Sequence, residues 1–158
     1  MRDPEGGDSH GGNPFAGAWR LVSWENSGAD GSVARPFGDN PVGCLLYSED
    51  GHMAVEIMDP DRHPSDPRLP VEAAFSQALS DEDRLAAYGT YLSYCGTYSF
   101  FMEEGIVVHH VKAGLIPSWA GSDQVRRFRF EEGRLILGAE RARLAESRVR
   151  LRGCAHLG

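Results

Sequence analysis

Apolar and polar residues alternate with a period of two along most of this chain, the pattern of half-buried β-strands. The alternation predicts strands over 17–26, 42–48, 52–58, 95–103, 105–113, 123–131 and 133–139, with a weaker one near 147–152. Several are joined by short turn signals: Glu49-Asp50-Gly51, Glu103-Glu104-Gly105 and Glu131-Glu132-Gly133. Asp-Gly between two apolar runs marks a hairpin, because glycine accepts the positive φ that a tight turn requires. One segment has a different period. Ser80 can cap a helix that opens on Asp81, Glu82 and Asp83, and Leu85, Tyr88 and Leu92 follow at three-to-four spacing, predicting a helix over 81–92. Residues 59–70 hold four of the nine prolines, which excludes a central strand and predicts a long connection. Eight short, evenly spaced strands and one inserted helix predict an all-β fold, an eight-stranded antiparallel up-and-down barrel. Such a barrel removes exposed edges and can enclose one small ligand.

Strand alternation also assigns faces. In 105–113, Lys112 marks the face of Val108 and His110 as outward, so Val107, His109 and Val111 point inward. In 123–131 the inward face is Gln124, Arg126, Phe128 and Phe130. Met53, Val55 and Ile57 face inward from 52–58, and Tyr94, Tyr98 and Phe100 share a face around the small Gly96. The expected lumen is apolar with few polar groups: His109, Arg126, Gln124, Tyr98 and Tyr47. The link at 114–121 is apolar and carries Trp119.

Composition narrows the classes. The chain has 158 residues, 41% hydrophobic and 25% charged, which suits one globular domain. Residues 1–14 contain four glycines and two prolines and read as a disordered lead-in; the domain is expected over 15–153, with a tail at 154–158. No apolar run approaches the ~18 residues of a membrane span, and the N-terminus has no apolar signal region. The net charge is −7. Nine of the sixteen basic residues and four of the 23 acidic ones lie in 126–158, so that part carries +5 and residues 1–125 carry −12. An overall acidic chain argues against nucleic acid as a partner. The Arg-rich end (Arg141, Arg143, Arg148, Arg150, Arg152) reads as a solvated face or an anion-binding patch. Cys44, Cys95 and Cys154 form neither a disulfide framework nor a metal knuckle; Cys44 and Cys95 read as buried strand residues, and a reduced, cytoplasmic protein is expected.

The order of motifs resembles a lipocalin-like domain family of small bacterial and fungal barrels. Gly17-Ala18-Trp19 matches the Gly-x-Trp signature that opens the first strand of lipocalins. Arg35-Pro36-Phe37-Gly38, Pro41-x-Gly43-x-Leu45-x-Tyr47 and Asp50-Gly51-x-Met53 follow. Then come Tyr91-x-x-Tyr94-x-Gly96-x-Tyr98, Val108-His109-His110-Val111 and Pro117-x-Trp119-x-Gly121-x-x-Gln124-x-Arg126-Arg127-Phe128. The resemblance covers about 15–137. It implies a small-molecule cavity, often in natural-product pathways, where some such barrels are cofactor-free cyclases or isomerases. After Gly138 this chain departs from the family pattern: an apolar, often Trp-containing closing strand is replaced by an Arg-rich one.

These readings define candidate chemistry. His109 is a general acid or base, or a hydrogen-bonded core histidine. Arg126 holds a carboxylate or enolate, or stacks on Trp19 as a barrel-bottom arginine. Tyr98 donates to a substrate oxygen or packs. Tyr47, Met53, Trp24, Trp119, Gln124, Phe128 and Tyr94 are the expected substrate-contacting residues; Gly17 and Trp19 are structural. Adjacent His109 and His110 point to opposite faces and do not make a metal pair. No metal and no cofactor are expected. The expected activity is a cyclase or isomerase acting on a polyketide- or polyene-like metabolite, with 59–70 and the helix as a lid; the alternative is a non-catalytic carrier of a hydrophobic metabolite. The expected partner is that hydrophobic small molecule, without nucleic acid or membrane, and a homodimer is left open.

Overall fold

A computed structural model describes residues 12–62, 79–141 and 145–154. Strands run in the order β1 (Gly17–Gly28), β2 (Val33–Ala34), β3 (Val42–Tyr47), β4 (His52–Met58), β5 (Tyr91–Phe101), β6 (Ile106–Gly114), β7 (Asp123–Glu131), β8 (Arg134–Arg141) and β9 (Ala145–Gly153). Helix α1 (Asp81–Gly89) precedes β5, and a 3-10 turn (Pro117–Trp119) lies between β6 and β7. Each strand from β3 to β8 pairs antiparallel with the next, and β1 pairs with both β3 and β9. The result is a closed eight-stranded barrel; the two-residue β2 is a ribbon on the far half of β1.

The Arg-rich end closes the barrel. β9 pairs with β8 along its whole length and with β1 from Trp19↔Gly153 to Gly28↔Ala145. Alternation explains how this strand serves: Ser147, Val149 and Leu151 point to the interior, leaving Arg148, Arg150 and Arg152 outside. Arg150 ion-pairs with Glu25 of β1 (3.0 Å), and Glu25 also takes Arg35 (3.1 Å).

Two bulges re-aim side chains. On β1 the register shifts between Leu21 and Ser23, leaving Val22 as the extra residue. The odd-numbered Trp19 and Leu21 point inward before the shift, and the even-numbered Trp24 and Asn26 after it. On β6 the shift opposite Cys95 and Gly96 leaves Lys112 as the extra residue. Gly96 is needed there, because a Cβ would overlap the carbonyl oxygen of His110. Gly51 (φ 87°) makes the turn between β3 and β4 that Asp-Gly predicted.

The helix is shorter than expected and carries no core. It ends at Gly89, and Leu92, assigned to its apolar stripe, is instead a buried residue of β5. Leu85 is 72% exposed and no residue of α1 is buried. Three-to-four spacing ran into the first turn of a strand whose own period of two also places Leu92 correctly. Ser80 does cap the helix, accepting from the Asp83 amide at 3.1 Å. The cysteines are a second correction: Cys95 sits on the outward face of β5 and is exposed, and Cys44 is half-buried.

One end of the barrel is filled by rings. Phe15, 0% exposed, stands ahead of β1 and packs against Tyr47 (5.3 Å between centroids), Phe128 (4.8 Å), Phe100 (5.1 Å) and Phe130 (5.4 Å). Its backbone is tied by Asn13, whose Oδ1 accepts from the Phe15 amide at 3.0 Å. Trp19 closes the same end, its indole N–H donating to the Phe15 carbonyl at 2.7 Å. The expected lead-in at 1–14 lies outside the described residues up to 11, and Asn13 and Pro14 at its end form this turn.

Candidate functional site

The other half of the barrel is hollow, with a cavity of about 670 Å³. That volume falls within the ~300–1,000 Å³ of small-molecule sites. Aliphatic residues from β1, β3, β4, β8 and β9 line most of it, including Leu21, Leu45, Val55, Leu137 and Val149. Trp24, made inward-facing by the β1 bulge, also lines it; Phe37, folded over from the β2–β3 loop, packs on Trp24 at 5.3 Å and borders the cavity with Pro36. Ile116 and Trp119 of the β6–β7 link complete that end. The helix part of the expected lid does not border this cavity. Among the described residues α1 contributes nothing to the cavity lining, and residues 63–70 of the proline-rich connection lie outside the described set.

Four polar groups share one wall, and Asn26 of β1 and Ser147 of β9 border the cavity elsewhere. Tyr94 from β5, His109 from β6, and Gln124 and Arg126 from β7 all line the cavity. His109 is opposite Gln124 in the β6–β7 register, with Arg126 one inward step along β7. His109 lies where the ring-filled floor meets the hollow half. Tyr47 reaches it from the floor, its hydroxyl 2.6 Å from Nε2; Tyr94 reaches it from the cavity side, its hydroxyl 2.9 Å from Nδ1. A neutral imidazole has one donor and one acceptor nitrogen, so one tyrosine donates to the ring and the other accepts from it.

Burial sets the charge of this triad. His109 is pushed down to about 3, first by loss of water and then by the positive charge of Arg126. Burial raises the Tyr47 hydroxyl well above the ordinary phenol value. The Tyr94 hydroxyl is raised by burial too, partly offset by the charge and hydrogen bond of Arg126. At neutral pH all three are uncharged, and Arg126 is the charged group among the four polar residues of this wall.

The remaining candidates fall in two places. Trp24, Trp119, Tyr94 and Gln124 border the cavity. Tyr98, Met53 and Phe128 belong to the packed floor and do not. The Tyr98 hydroxyl donates to the Ser48 carbonyl at 2.8 Å and accepts from Asn13 Nδ2 at 2.5 Å. Gly17 (φ 130°) opens β1, and Trp19 packs on Phe130 at 6.0 Å. The alternative in which Arg126 stacks on Trp19 does not hold: Arg126 bonds Gln124 and acts on Tyr94 and His109, above the floor. His110 points the other way, to Asp123 at 2.7 Å. Asn26 and Phe37 also border the cavity although the strand pattern does not single them out, and Phe15 belongs to the packed floor. Phe37 sits in the Arg35-Pro36-Phe37-Gly38 motif, and that placement was the available signal.

The fold and site define a small closed antiparallel barrel with one end packed and the other hollow around a mostly apolar cavity, a form that suits a small hydrophobic ligand. The sequence profile of the lipocalin-like domain family matches residues 16–154, and the chain belongs to that family. No curated protein matches it. Among solved structures it is similar to a variant of the fluorescent protein UnaG, at 11% identity and a TM-score of 0.40, over 90% of this chain and 97% of that one. Among the described residues no helix is long and apolar enough to cross a membrane.

Proposed function

We propose that this protein binds one small hydrophobic molecule inside the barrel and that holding this molecule is its function. The observation that carries the reading is the two-sided cavity: about 670 Å³, aliphatic over most of its wall, with Tyr94, His109, Gln124 and Arg126 on one side. An apolar body is held there by its removal from water, at ~25 cal/mol per Å² buried, and a polar end fixes its orientation. Both ring nitrogens of His109 are engaged by tyrosines, and burial keeps the ring neutral, so it is a poor base at neutral pH. That favours holding over turnover.

A second reading is cofactor-independent cyclisation or isomerisation of a polyketide- or polyene-like molecule, as the family resemblance implies. The specific observation behind it is the unbroken chain Tyr94–His109–Tyr47 at 2.9 and 2.6 Å. In that reading Tyr94 accepts from His109 Nδ1 and donates a hydrogen bond to a substrate oxygen, while bonds rearrange within the substrate and no proton is gained or lost, so the product has the mass of the substrate. The cavity contributes by holding one conformer.

Incubation with a lipid and metabolite extract of the source, followed by native mass spectrometry, tests both. One molecule retained unchanged per barrel supports holding. A mass-neutral isomer formed in solution, and lost in His109→Phe while the starting molecule still binds, supports turnover. A barrel that retains nothing contradicts the proposal.

A further inference from the structure

The polar wall of the cavity holds a cation that the rest of the described site does not neutralise. Arg126 donates from Nη1 to the Val125 carbonyl (3.0 Å) and from Nη2 to Gln124 Oε1 (3.4 Å), both neutral acceptors. Its charge also acts on the Tyr94 hydroxyl, another neutral group. Among the described residues no carboxylate lies within ion-pair distance of it. The acid that does border the cavity, Asp123, is engaged with His110 at 2.7 Å. His109 carries no charge at neutral pH, so it neither competes for an anion nor balances the arginine. A guanidinium has five N–H donors in a planar fork and stays charged in proteins, so donors remain available toward the cavity. A cation partly withdrawn from water without a counter-ion carries a desolvation penalty, which an anion placed beside it offsets.

We propose that the cavity selects amphipathic ligands that carry a carboxylate, the carboxylate resting on Arg126 beside Gln124 and the apolar body lying against the aliphatic wall of Leu21, Val55, Leu137 and Val149. This rests on the ligand-holding reading and narrows it to a chemical class. The two-sided wall sets the orientation: the head meets β7, and the body reaches across to Trp24 and Phe37 near the β2–β3 loop. The chain's net charge of −7 acts against anions, so a preference for an anionic head has to come from the cavity and not from the protein's overall field.

Dodecanoate, dodecanol and dodecylammonium share one tail and differ in head charge. Titration of each into the full chain at neutral pH, followed by the fluorescence of Trp24 and Trp119, reads the preference directly. Dodecanoate should bind at least about tenfold tighter than dodecanol, and dodecylammonium weakest of the three. In Arg126→Gln the preference for dodecanoate over dodecanol should disappear. Equal binding of acid and alcohol in the unaltered protein overturns the inference while leaving the cavity intact, and needs no variant to fold. A preference that survives Arg126→Gln overturns it as well. If none of the three binds and the metabolite extract also leaves nothing on the barrel, the ligand-holding reading fails along with it.

Discussion

His109 is the residue on which the interior is most finely balanced. The unfolded chain takes up a proton on this imidazole near pH 6.5, whereas the folded protein resists doing so down to about 3. Protonation therefore favours the unfolded state as pH falls through 6.5, and above about pH 7.5 this group contributes almost no pH dependence. Between about pH 7.5 and 5 the loss is about 2 kcal/mol, on a limiting slope of ~1.4 kcal/mol per pH unit. Denaturant titrations at the two pH values should show that loss in the unaltered protein and most of it removed in His109→Gln. An equal loss in both would place the pH dependence elsewhere. The same substitution disturbs the partners of Tyr47 and Tyr94, so its stability at pH 7 should fall by ~1–3 kcal/mol, the cost of leaving a buried hydroxyl unsatisfied. Phe15 is the second residue of this kind. Truncation to alanine removes a fully buried ring from five aromatic neighbours and should cost ~3–5 kcal/mol, read as a shift of the denaturant midpoint. A cost below ~1 kcal/mol would show that the floor of the barrel does not depend on it.

At the level of elements, the two bulges decide what the cavity contains. β1 brings Trp24 inside only because Val22 is left out of register. β6 and β5 approach closely at Gly96 opposite the extra Lys112. Gly96→Ala should destabilise the protein by ~1–3 kcal/mol, because its methyl group meets backbone and not a side chain able to move away. A thermal melt unchanged from the native chain would contradict this account of the β5–β6 contact. The inward faces of β4, β6 and β7 were legible in the sequence, because marker residues on each strand, His52 and Glu56 on β4, Lys112 on β6 and the aromatic pair Phe128 and Phe130 on β7, fix the parity. The bulges were not. One extra residue alters no composition and shows itself only as pairing with a neighbour distant in the chain. The helix end was illegible for a related reason: Leu92 satisfies both a three-to-four and a two-residue period, and its burial in β5 decides between them. β9 carried its own signal. Ser147, Val149 and Leu151 alternate with arginines, and the strand's overall polarity masked a serviceable inner face.

For the whole molecule, the barrel divides its interior between a rigid floor and a hollow upper half. The floor spends its aromatic rings on packing, and the upper half keeps about 670 Å³ open beneath Phe37, Ile116 and Trp119. Convergence of Tyr94, His109, Gln124 and Arg126 was legible as a face assignment on three neighbouring strands. That Tyr98 and Phe128 stand in the floor was not, since alternation gives the side of the sheet but not the depth along the barrel axis. The central claim is that this cavity holds the ligand, and filling it tests that claim most directly. Ala139 lines the cavity from β8, and Ala139→Trp would place an indole in the open space. Native mass spectrometry of the two proteins after identical exposure to the extract should show one retained molecule on the unaltered barrel. The variant should retain none, with the same far-ultraviolet spectrum and a melting temperature no lower. A filled barrel that retains the same molecule in the same amount would contradict the account, because the ligand would then be bound somewhere other than this cavity.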